Sequence, residues 1–127
     1  MDSETAWMLA QATQNSYDTG WVAFFTIGYL NSWVNDNGPA GGTDAGIRRI
    51  GNVVYLGGTV QSGASGTQLC STLPPQFWPP YTVNASGVTS SVANDATVVH
   101  VTTTGVLSLY FTAGGTPGLD GIQWLVN

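Results

Sequence analysis

Four prolines stand within Thr72-Leu73-Pro74-Pro75-Gln76-Phe77-Trp78-Pro79-Pro80. They remove backbone donors and fix φ, so this stretch continues neither a helix nor a central strand. It reads as an ordered loop held by its own side chains, with Leu73 and Phe77 as apolar plugs. Upstream, Arg48-Arg49-Ile50-Gly51-Asn52-Val53-Val54-Tyr55-Leu56-Gly57-Gly58-Thr59-Val60 combines a tight turn at Gly51-Asn52 with a β-branched and aromatic run, the composition of a buried strand. Strand, turn and proline-locked loop describe one corner of an all-β domain. The Gly57-Gly58 pair marks a place where another backbone approaches closely.

The rest of the chain extends that corner. Strands are expected over 21–26, 30–35 (centred on Trp33), 47–50, 53–61, 68–72, 81–85, 96–102, 106–111 and 122–126, with a polar Gly/Pro loop over 36–44. Short strands at this spacing predict a β-sandwich, jelly-roll-like head over 20–127. Only residues 2–17 carry a helical pattern, with Asp2 or Ser3 as cap and Trp7, Met8 and Ala12 on the apolar face. Residues 1–19 therefore read as a short N-terminal helix, the end of a stalk or a trimerisation segment, packed on the β domain or on copies of itself.

Charge narrows the function. Only 7% of residues are charged, against roughly a quarter in an average domain. Two explanations are compatible: much of the surface faces copies of the same chain, or the Ser/Thr/Asn/Gly surface belongs to an extracellular or virion protein. A net charge of −5 with two adjacent arginines and no lysine argues against nucleic acid as a partner. The chain has no apolar run long enough to insert in a membrane as a helix and no basic-then-apolar export signal. The single cysteine, Cys70, reads as a buried free thiol.

Catalytic and metal chemistry find little to build on. The one histidine, His100, lies inside an apolar strand with no nucleophile elbow nearby, and Asp36, Asp44, Asp95 and Asp120 sit in turn contexts where Asp bonds its own backbone. No enzyme activity, cofactor or metal is expected. Aromatic residues carry more signal, because sugar C–H faces stack on Trp and Tyr rings. Trp21, Trp33, Tyr55 and Trp124 fall on expected strands and read as core or interface; Trp78 lies on the loop, where both exposure and packing stay open. Strand alternation sends Arg48 and Arg49 to opposite faces, so one of them points inward or toward a neighbouring subunit and needs a carboxylate, for which Asp120 is a candidate.

The order Leu30-Asn31-Ser32-Trp33-Val34-Asn35, then the Arg48 to Val60 block, then Thr72-Leu73-Pro74-Pro75-Gln76-Phe77-Trp78-Pro79, then Thr104-Gly105-Val106-Leu107, then Leu119-Asp120-Gly121-Ile122-Gln123-Trp124 resembles the C-terminal head domain of tailed-bacteriophage tail fibres, minor tail proteins and baseplate receptor-binding proteins. The resemblance covers the chain from about Trp21 onward. It implies a homotrimeric β-sandwich head at the tip of a stalk, carried on the virion with the rest of the phage tail and contacting a bacterial cell-surface saccharide. Two departures are Ile47, where such heads commonly have an aromatic, and Trp78, where they often carry a polar or basic residue. Trp78, with Asp36 and Asp44 of the polar loop, is the candidate receptor contact; Arg48, Arg49 and Asp120 are the candidate interface or buried ion-pair residues. The expectation is host adhesion without catalysis; the alternative is a trimerisation or capping knob that does not touch the receptor.

Overall fold

Gly51 adopts φ +57, the left-handed value the tight turn requires, and joins β3 (Gly46–Ile50) to β4 (Val53–Gly57). The hairpin pairs Ile47 with Leu56, Arg48 with Tyr55 and Ile50 with Val53. Two shorter strands complete its sheet: β1 (Val22–Ala23) pairs antiparallel with β3, and β11 (Gln123–Leu125) with β4. The computed structural model describes residues 17–35, 45–90, 96–111 and 116–126. The expected loop over 36–44 lies outside those residues, as does the expected N-terminal helix apart from Tyr17. At the start of the described chain, Asp18 bridges Ile50 as extended backbone, and the Thr19 N–H donates to the Arg49 carbonyl.

A second sheet has the order β10 (Thr116–Pro117), β7 (Val83–Ser90), β8 (Ala96–Val101), β9 (Leu107–Tyr110), β6 (Thr67–Gln68). A two-stranded ribbon, β2 (Val34–Asn35) with β5 (Val60–Gln61), lies outside both sheets. All of these pairings are antiparallel. Period-two alternation sends Ile47, Val54, Leu56 and Trp124 of the first sheet, and Val99, Val101, Leu107 and Leu109 of the second, into one core. The fold is all-β and sandwich-like, as expected. Full burial of each Leu or Val is worth about 1.5–3 kcal/mol, so the shared core is what holds the layers together.

Loop residues close that core. Leu73 and Phe77 are fully buried, and the proline loop turns once as a 3-10 helix over Pro75–Phe77. Trp33 is buried too, with its indole N–H donating to Thr67 Oγ1 and its ring edge-on to Phe111 at 5.5 Å.

Several expected boundaries shift. The strand expected over 21–26 is only Val22–Ala23, because the chain then turns into the single helical turn α1 (Phe24–Ile27). Helical geometry buries Phe24 while Phe25 stays exposed, and the Phe24 N–H donates to the Ala45 carbonyl. The strand expected over 30–35 shrinks to Val34–Asn35, since Asn31 and Ser32 take φ +55 and +68. The segment expected over 81–85 instead runs on as the long strand Val83–Ser90.

Candidate functional site

The Asp18 carboxylate builds a tight local turn by accepting the Gly20 N–H at 2.8 Å, and Gly20 completes it at φ +68. Trp21 follows, and because Val22 packs inward, Trp21 is delivered to the opposite, outer side of the first sheet. Its indole lies over Gly57 of β4: a methyl there would stand 3.2 Å from Trp21 Cη2 and 3.4 Å from Asp120 Oδ1. The missing side chain at Gly57 is thus what seats the ring beside the carboxylate.

Cross-strand register supplies the neighbours. Arg48 faces Tyr55, which faces Gln123, in a row across the outer face. The next row is apolar, Ile50 to Val53 to Leu125, and Leu125 is 69% exposed. Arg48 stands 6.0 Å from the Trp21 ring centroid and grips Asp18 bidentately, Nε to Oδ1 at 3.0 Å and Nη2 to Oδ2 at 2.6 Å. That grip and the Gly20 N–H hold the Asp18 carboxyl down at about 2, and the same contact raises Arg48 above its ordinary range.

Trp21 differs from the other described tryptophans. Trp33, Trp78 and Trp124 each donate their indole N–H to a protein acceptor (Thr67 Oγ1, the Leu73 carbonyl and the Phe77 carbonyl), whereas Trp21 has no such partner among the described residues and is 57% exposed. Asp120 is exposed, and among the described residues only its Oδ1 is engaged, accepting the Gly58 N–H at 2.9 Å. An exposed aromatic face, a free indole donor, a free carboxylate oxygen and the remaining Arg48 N–H groups therefore meet on one surface.

Compared with models of known protein families and with curated proteins, the sequence matches none.

The residues singled out from the sequence are distributed as follows. Trp78 is half-buried against the core, with its indole N–H on the Leu73 carbonyl at 2.6 Å. Asp36 and Asp44 lie outside the described residues. Asp120 pairs with neither arginine, which corrects the expected ion pair: Arg48 takes Asp18, and the carboxylate of Asp120 instead caps the Gly58 amide. Arg49 needs no carboxylate, because it donates to the Gly51 and Gln76 carbonyls at 2.8 and 2.7 Å and lies 4.9 Å over the Tyr17 ring. His100 pairs through Nδ1 with Asn84 Oδ1 at 2.8 Å across β8 and β7. Among the described residues, no three His, Cys, Asp or Glu side chains gather, and no helix is long and apolar enough to cross a membrane.

A second surface feature adjoins the first. An open groove of about 390 Å³ runs between residues 79–83 and the Trp124-Leu125 edge of β11, with Tyr81 80% exposed on its rim. Of the four strand aromatics expected in the core or at an interface, Trp33 and Trp124 are buried, whereas Trp21 is exposed. Its exposure follows from the register of β1 on β3, which pairs Val22 with the inward Ile47 and so leaves Trp21 on the outer side.

Proposed function

We propose that the domain is the receptor-binding head of a bacteriophage tail protein, carried on the virion and adhering to a bacterial cell-surface saccharide without catalysis. The observation that carries this reading is Trp21: an exposed indole whose N–H has no partner among the described residues, beside Asp120 and Arg48 and on the same face as Tyr55 and Gln123. Sugars are bound by this pairing of a stacking ring with planar hydrogen-bonding groups. The ordered blocks that resemble tail-fibre heads and the sandwich-like fold agree with it. A single shallow site of this kind binds weakly; three copies per head raise its avidity through effective concentration.

The test is adsorption. The purified domain should block phage attachment to host cells, and Trp21→Ala should remove most of that blocking at unchanged oligomeric mass. Failure of the wild-type domain to bind any host envelope fraction would sink the reading.

A second reading, a trimerisation or capping knob, is favoured by the apolar row Ile50, Val53 and Leu125 beside the Tyr81 groove. Under that reading Leu125→Glu dissociates the oligomer, and Trp21→Ala leaves adsorption as it was.

A further inference from the structure

We infer that the ligand of the Trp21 face is a neutral pyranose and not an acidic saccharide or a phosphate-bearing polymer; this rests on the saccharide-adhesion reading. The argument is one of charge. The chain has no lysine, two arginines and one histidine, and all three of those side chains are described. Arg49 is directed to the Gly51 and Gln76 carbonyls and to Tyr17, while His100 belongs to the other sheet. Arg48 is the one cation beside Trp21, and Asp18 neutralises it through two hydrogen bonds. Asp120 then adds a carboxylate next to the indole without a compensating cation.

An anionic group brought to this face meets a neutralised Arg48 and a free carboxylate, so its lost hydration is not replaced. A neutral sugar meets complementary groups. Its C–H face lies on the indole, a hydroxyl donates to Asp120 Oδ2, and ring or hydroxyl oxygens accept from Trp21 Nε1 and from Arg48 Nη1. The Arg48–Tyr55–Gln123 row crosses two strand spacings, about 10 Å, long enough to seat a second ring. Asp18 is on this account the determinant of selectivity. It keeps Arg48 positioned while cancelling its charge.

The experiment titrates the isotope-labelled domain with methyl glycosides of glucose, galactose and N-acetylglucosamine, and separately with glucuronate and glycerol phosphate, following the indole N–H signals. Neutral probes should move the Trp21 indole signal and leave those of Trp33, Trp78 and Trp124 nearly still, and the acidic probes should be weaker. Asp18→Asn retains an oxygen for the Gly20 N–H but frees the Arg48 charge. It should strengthen the acidic probes by about fivefold, the range of one exposed ion pair, with little change for the neutral ones. Acidic probes binding the wild type as tightly as neutral ones, or an Asp18→Asn variant with unchanged selectivity, would overturn the inference while leaving adhesion standing. So would neutral binding that survives Trp21→Ala, or a Trp21→Ala variant that loses its oligomeric mass, which makes the face a subunit contact. Loss of adsorption blocking by the wild-type domain would remove the adhesion reading itself, and the inference with it.

Discussion

Trp78 donates its indole N–H to the carbonyl of Leu73 across 2.6 Å, closing the proline loop on itself from within. Gly105 packs against the same edge of the ring, where an added Cβ would collide with indole Nε1 and Cδ1 and come within 3.0 Å of the Leu73 carbonyl oxygen. The aromatic that the sequence marks as a receptor contact is thus also the clamp of its own loop, and a binding defect on replacing it has to be separated from a folding defect. Trp78→Phe keeps most of the ring and strands the Leu73 carbonyl, at about 1–2 kcal/mol. Gly105→Ala adds the cost of a left-handed φ of +82 to the collision, together at least about 2 kcal/mol. Urea melts read both; a Gly105→Ala protein as stable as wild type would contradict the clamp.

The Asp18–Arg48 pair has a defined acid signature. The Asp18 carboxyl titrates at about 2 in the fold against an ordinary 3.8. A depressed carboxylate contributes stability that is present above the unfolded value and lost as pH falls through the folded one. Stability should therefore decline between roughly pH 4 and pH 2, and Asp18→Asn, which mimics the protonated acid, should flatten that part of the curve and lie below wild type at neutral pH by the same modest amount, as expected of an exposed pair. Thermal melts at stepped pH decide it. An Asp18→Asn curve parallel to wild type across that window would mean the pair has no linkage to folding.

Cys70 offers a clean reporter of opening. It is the only thiol, it is fully buried, and burial pushes its titration up to about 12. Its carbonyl also accepts from Gln68 Nε2, and it bridges Tyr29 between the loop and the second sheet. At pH 8 an aromatic disulfide reagent should leave the native protein unlabelled, and labelling should follow denaturant in step with the tryptophan fluorescence change. Rapid labelling without denaturant would place the thiol in a segment that opens by itself.

Local chemistry was legible, and long-range pairing was not. Gly51-Asn52 announced its hairpin because a left-handed turn between β-branched runs is a property of adjacent residues. Leu73 and Phe77 announced themselves as plugs because prolines around them leave the chain no regular alternative. The helical turn at Phe24 depends on the carbonyl of Ala45, and the partner of Arg48 is Asp18, thirty positions away. Neither follows from composition or period. The Trp21 face was hidden for the same reason, since its floor is Gly57 and its flank Asp120, brought together only by the sheet.

Gly57 and Gly58, neighbours in sequence, should respond oppositely to the same substitution. At Gly58 φ is +89, and an added Cβ would lie 2.5 Å from the Cα of Ala45, so the close backbone approach expected of the pair belongs to this residue. Backbone cannot give way as a side chain can, and Gly58→Ala should cost at least about 3 kcal/mol. At Gly57 the atoms nearest the added methyl belong to the Trp21 indole and to Asp120 Oδ1, exposed side chains that can give way by a few tenths of an ångström where backbone cannot. The unfolded chain also loses freedom on replacement of Gly by Ala, which offsets the crowding, so Gly57→Ala should stay within about 0.5 kcal/mol of wild type. Its effect should fall on the surface instead: the ring is pushed off its seat, and the response of the Trp21 indole to neutral glycosides should drop several-fold in a protein that melts normally. Equal destabilisation at both positions would mean that Trp21 is packed rigidly, and a Gly57→Ala variant with full glycoside response would mean that the seat over Gly57 does not position the ring.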